Sequence, residues 1–175
     1  MTATLAGITL LLAAVSSSPA VASDTIPKEL APIGTEHSHL MQAFGVVVER
    51  ATSLRATTAD RLRLVSFLRN EILPHAQREE LILYPALDSA LDTKGYATAT
   101  LILDHRAIAG LTVELANLLE GSQLAFERRA HAVDALVASH FEKEEQFVLP
   151  VLGRKLSPRE LRALLARMER ERLPS

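Results

Sequence analysis

Apolar residues recur every three to four positions along five stretches of this 175-residue chain, the period of an amphipathic helix. The first stripe, Leu40, Met41, Phe44, Val47 and Val48, predicts a helix from near Thr35, capped by Gly34 or Thr35, to about Leu54. A break at Thr57-Thr58-Ala59-Asp60 separates it from Leu64, Val65, Leu68 and Ile72, which open a second helix. Pro74 is expected to kink that helix, because proline lacks an N–H and crowds the carbonyl of Asn70. The pattern resumes through Ile82 and Leu83, ends near Leu91, and gives way to a turn at Asp92-Thr93-Lys94-Gly95. A third helix is predicted from Thr98 to Leu119, with Gly121 as the residue that stops it. The fourth spans about Leu124 to Gly153, its inward stripe being Val133, Leu136, Val137, Phe147, Val148 and Val151. Ser157-Pro158-Arg159-Glu160 is a capping box, so a fifth helix over 157–172 carries Leu161, Leu164, Leu165 and Met168 across one end. No run alternates with the period of a strand. The pattern therefore predicts an all-α fold, an up-down-up-down four-helix bundle over 35–153 with a short fifth C-terminal helix.

The first 34 residues read differently. Leu5 to Val15 is apolar but too short to span a bilayer, and Ala20-Val21-Ala22 fits a small-residue cleavage site. The expectation is a signal peptide over 1–22, a periplasmic or secreted mature chain with no membrane contact, and a linker over 23–34. The alternative is an uncleaved apolar tail on a cytoplasmic chain. A net charge of −2 offers no basic footprint for nucleic acid. The absence of cysteine excludes disulfides, thiolate metal sites and cysteine catalysis.

The polar residues on the apolar stripes carry the chemistry. His75-x-x-x-Glu79-Glu80 with Pro85 and Leu87 is repeated as His140-x-x-x-Glu144-Glu145 with Pro150 and Leu152. Upstream of the first copy lies Glu36-His37-x-x-Leu40, and upstream of the second Asp104-His105-x-x-Ile108. The separations nearly match, 38 residues from His37 to His75 and 35 from His105 to His140. The chain thus reads as one helix pair used twice. At about 100° per residue, a His and a Glu four apart share one helix face. His39 falls about 200° round from His37, and His131 about 180° round from His140, on outer faces. Four of the six histidines are therefore inside and two outside. Glu80 and Glu145 are placed at the helix flanks.

An unpartnered ionisable ring on a core stripe is costly, and four of them with two carboxylates point to a buried metal site. Imidazole and carboxylate without sulfur suit Fe, Mn or Zn. Six ligands exceed what one Zn takes and suit two metals, each with two His of its own half and with Glu79 and Glu144 bridging. Positions remain for an oxo or hydroxo bridge and a small exogenous ligand. An apolar interior would admit O2, NO or peroxide and exclude larger molecules.

Together these motifs resemble the hemerythrin-like (HHE cation-binding) domain family over about residues 35–152. The resemblance implies a non-haem di-iron centre, with His37, His75, His105 and His140 as terminal ligands and Glu79 and Glu144 as bridges. Mn or Zn are the alternative metals. Two departures matter. Oxygen carriers of the family have a further histidine one turn after the third-helix ligand, where this chain has Ala109, and an Asp a little beyond the position of Glu144. The expected function is binding of a small ligand or of iron itself for sensing, scavenging or storage. The alternative is a di-iron oxidoreductase, peroxidase-like or NO-handling, that uses the position vacated at Ala109.

Overall fold

The computed structural model describes residues 25–171, and these are helical throughout apart from short turns. Eight α-helical segments follow in order: α1 Ala31–Thr52, α2 Thr58–Phe67, α3 Leu73–Arg78, α4 Tyr84–Leu91, α5 Ala99–Asn117, α6 Gln123–Lys143, α7 Leu149–Lys155 and α8 Pro158–Arg170. Three five-residue π turns, Leu68–Ile72, Glu79–Leu83 and Glu144–Val148, join α2 to α3, α3 to α4 and α6 to α7. The junction residues all keep right-handed helical dihedrals, so α2–α4 form one rod and α6–α7 another. With α1 and α5 these make the four-helix bundle, in which α1 packs on α2 and α6 while α5 packs on α6, α2 and α3. No described helix is long and apolar enough to cross a membrane.

Each π turn ends two residues before a proline: Pro74, Pro85 and Pro150. A proline at position i leaves the carbonyl at i−4 without its helical partner. The residue just before it then reaches five residues back: Leu73 N–H to Leu68, Tyr84 to Glu79, and Leu149 to Glu144. The carbonyl-bearing residues left over, Asn70, Leu81 and Gln146, are all exposed to water. An extra residue per turn also rotates everything downstream. Phe147, expected on the inner face, is 63% exposed, while Leu149 and Leu152 take the core positions; Leu136 and Val151 are only half-buried.

The apolar residues form two cores. One gathers Phe44, Val48, Leu64, Leu68, Ile72, Ile108, Leu115, Phe126, Val133 and Val137. The other gathers Leu30, Ile33, Ile82, Leu83, Leu87, Leu101, Leu149 and Leu152 with Leu161, Leu164 and Met168 of α8. As expected, α8 closes the bundle end, starting from the Ser157–Glu160 capping box. Between the two cores, on every rod, lies one layer of buried polar side chains.

Two boundaries differ from the pattern. The signal-peptide stretch lies outside the described residues, and the segment read as a linker has no regular structure at 25–27, turns at 28–30 and is helical from Ala31. There α1 begins at Ala31, with Pro32 in its first turn, where a missing N–H costs nothing. Leu30 is fully buried, and Pro27 packs on Gly153 so closely that a Cβ there would meet its ring at 2.7 Å. At the other end, α5 stops at Asn117 without a left-handed Gly121. Instead the buried Arg61 guanidinium donates to the carbonyls of Leu118, Leu119 and Gly121 at 3.3, 2.9 and 3.0 Å.

Candidate metal centre

The polar layer is made by the acid-His pairs on α1 and α5 and the two His-x-x-x-Glu turns. Because His75 and Glu79 are one helical turn apart, as are His140 and Glu144, each pair reaches the bundle axis at one level. His37, His75, His105, His140, Glu79 and Glu144 are all buried, and both carboxylates are fully so. The structure thus brings all six predicted residues into one cluster, while His39 and His131 lie on the outer surface as expected.

Each ring uses its two nitrogens differently. Every Nδ1 faces an acid: His37 to Glu145 at 3.1 Å, His75 to Glu36 at 3.3 Å, His105 to Glu80 at 2.8 Å and His140 to Asp104 at 3.4 Å. Glu36 is held in turn by Arg78 at 2.5 Å and Asp104 by Lys143 at 2.7 Å. A proton on Nδ1 donated to these acids leaves the Nε2 lone pair pointing inward. The four Nε2 atoms converge on the carboxylates: His75 on Glu79 Oε1 at 2.6 Å, His37 on Glu79 Oε1 at 3.4 Å and Glu144 Oε2 at 3.5 Å, and His105 on Glu79 Oε2 at 3.4 Å. His105 Nε2 and His140 Nε2 lie 2.8 Å apart.

Aromatic rings wall the layer. Phe141 stacks on His37 with ring centres 4.2 Å apart and meets His75 edge-on. The Tyr84 ring stacks on His105, and its hydroxyl donates to Glu144 Oε1 at 2.8 Å while lying 3.2 Å from His105 Nε2 and 3.4 Å from His140 Nε2.

Burial sets the electrostatics, and the pairing corrects it. Burial pushes Glu79 up, but the charge of His75 and the rings of His105, His140 and His37 that face it outweigh this, so the carboxyl sits well below its ordinary range. Glu144 goes the other way, raised by burial and by the repulsion of Glu79. Burial would lower His75, yet Glu79 and Glu36 lift it to about 9, and Glu79 and Glu80 lift His105 in the same sense. Tyr84 is held protonated by burial and by the charges of Glu79 and Glu144.

The donor set fits cations. Within the layer, His75 Nε2, Glu79 Oε2 and Glu144 Oε2 are buried without a hydrogen-bond partner, an expensive state that a metal ion removes. The inward atoms form two overlapping groups, His37, His75, Glu79 and Glu144, and Glu79, His105 and His140, the atoms of each lying within 4.8 Å of one another.

Pattern reading left some of this out. Along the chain Glu36 and Asp104 show only as motif letters, and nothing in the pattern gives Arg78, Lys143 or Tyr84 a role. A signal existed for the bases: both repeats read H-x-x-(R/K)-E-E, with the cation three residues after the His.

The sequence profile of the hemerythrin HHE cation binding domain matches residues 30–152. No curated protein and no solved structure matches the chain.

Proposed function

This chain belongs to the hemerythrin HHE cation-binding domain family, and from that premise we propose that it is a non-haem di-iron protein that binds a small ligand. The ligand class is O2, NO or peroxide, or iron itself, for sensing, scavenging or storage. The observation that carries this reading is the convergence of four acid-backed imidazoles on two fully buried carboxylates with unpartnered oxygens.

Of the two carboxylates expected to bridge, Glu79 alone stands in both donor groups: with His37, His75 and Glu144 it would hold one iron, and with His105 and His140 the other. When bound, the iron pair supplies Lewis-acid and redox chemistry at a buried, oxygen- and nitrogen-lined site. The protein's share is orientation and exclusion. The acids on each Nδ1 fix the rings and make Nε2 more basic. Phe141, Tyr84 and the two apolar cores keep bulk water out. An apolar cleft of about 290 Å³ lined by Leu101, Val148, Phe147 and Lys143 lies one turn from His105 and Glu144, a size suited to small molecules.

A second reading, a peroxidase-like or NO-handling di-iron oxidoreductase, is favoured by one observation. The His37 side gathers four donors and the His105 side three, with Ala109 offering none where a carrier has a histidine. We also propose export through residues 1–22, checked by fractionating cells that make the full chain.

The test is to load the chain with ferrous iron without air and record visible spectra on adding O2, NO or peroxide. A reversible new charge-transfer band with one of them is the expected result. Repeated consumption of peroxide or NO would assign the oxidoreductase instead. Spectra that no ligand changes would contradict both.

A further inference from the structure

We propose that Tyr84 is itself a metal ligand, its phenol oxygen completing the donor set that His105, His140 and Glu79 begin. This rests on the di-iron reading and deepens it.

Donor atoms bound to one ion at roughly 2.1 Å stand roughly 3.0–3.4 Å apart in octahedral or tetrahedral arrangements. The Tyr84 oxygen lies 3.2 Å from His105 Nε2 and 3.4 Å from His140 Nε2. Those two nitrogens are 2.8 Å from each other, and Glu79 Oε2 lies 3.4 Å from His105 Nε2 and 3.9 Å from His140 Nε2. These five spacings fall near those expected of donors around one ion. Two of the four atoms are ring nitrogens whose other nitrogens face acids, so their lone pairs point at each other unless a cation stands between.

The backbone puts the oxygen there. In a regular α-helix, Tyr84 would be turned about 140° from Glu79, five residues earlier. The π turn Glu79–Leu83 narrows that difference by roughly a right angle, with the Tyr84 N–H bonded to the Glu79 carbonyl. Such turns commonly accompany functional sites. The equivalent residue after Glu144 is Leu149, fully buried and without a donor. The duplicated site is therefore asymmetric by one oxygen, and the oxygen falls on the side that is one donor short.

Ligation breaks the phenol O–H bond as the O–Fe(III) bond forms, and the proton leaves to solvent water, with no change in oxidation state.

The experiment compares the wild-type chain, Tyr84→Phe and Tyr96→Phe, each loaded with ferric iron and counted for metal. Resonance Raman spectra are excited within the visible absorption band. The chain has two tyrosines, and Tyr96 is 86% exposed. Wild type and Tyr96→Phe are expected to show tyrosinate ring modes, and Tyr84→Phe to lose them while keeping its helical circular dichroism. Iron-loaded wild type without those modes overturns this proposal alone and leaves Tyr84 as a hydrogen-bond donor to Glu144. Modes that vanish in Tyr96→Phe also overturn it. If Tyr84→Phe fails to fold, the wild-type and Tyr96→Phe spectra still decide. A wild-type chain that takes up no iron overturns both this proposal and the di-iron function.

Discussion

A histidine in this layer is held at both nitrogens, by an acid outside and by Glu79 or Glu144 inside. The outer contact costs the bundle little, since Glu36, Glu80, Asp104 and Glu145 keep partial access to water. It fixes which nitrogen is free. Replacing Glu36 or Asp104 with Ala is therefore expected to weaken metal binding by about 10–100-fold without touching a ligand, read by competition against a chelating dye. His39→Ala and His131→Ala should leave affinity unchanged, because both rings are on the outer surface. The four inner histidines were legible because each lies on an apolar stripe. The acids were visible as motif letters, but their targets were not: Glu80 serves His105 and Glu145 serves His37, and no spacing along the chain reveals which helix stands opposite.

The rods show how far periodicity reaches. Element type and order follow from the 3.6-residue period, and that period alone also explains the misplacement of Phe147. One extra residue in a π turn shifts every later side chain by most of a right angle, which the proline at Pro150 announces only indirectly. The linker reading failed for a related reason, since Pro32 is tolerated in a first turn that buries Leu30. Arg61 is the most consequential cap. Arg61→Ala strips three carbonyls at the end of α5 of a charged donor and is expected to cost about 2–3 kcal/mol, read as a lower chemical-denaturation midpoint. Asp88 ties the next turn, accepting from Thr93 at 2.5 Å, Thr98 at 2.6 Å and the Ala97 N–H at 3.2 Å, beside the left-handed Asp92 and Lys94. Burial pushes its carboxyl up, but these donors outweigh it and hold it below its ordinary 3.8. A depressed folded value means the stabilisation is complete above the ordinary value and is lost as pH falls through the folded one. Asp88→Asn should accordingly cost about 1 kcal/mol at neutral pH, with the gap from wild type closing as the solution is taken below pH 3.8.

At the scale of the molecule, one charged layer separates two apolar cores, and each core is sealed by its own helix ends. A layer with buried, unpartnered donors weakens the fold until something fills it. Metal binding and folding are therefore coupled. At a free metal concentration 100 times the dissociation constant, binding adds about 2.7 kcal/mol. For a chain of this size that raises the thermal midpoint by roughly 5–10 °C, and chelation should return it.

The most direct test is metal stoichiometry. The purified chain, stripped of metal and titrated with ferrous iron without air, should take up about two ions and then stop. His75→Ala and Glu79→Ala should take up fewer. A wild-type chain that saturates below about one ion, or that binds two whether or not His75 and Glu79 are present, would contradict the buried two-metal centre.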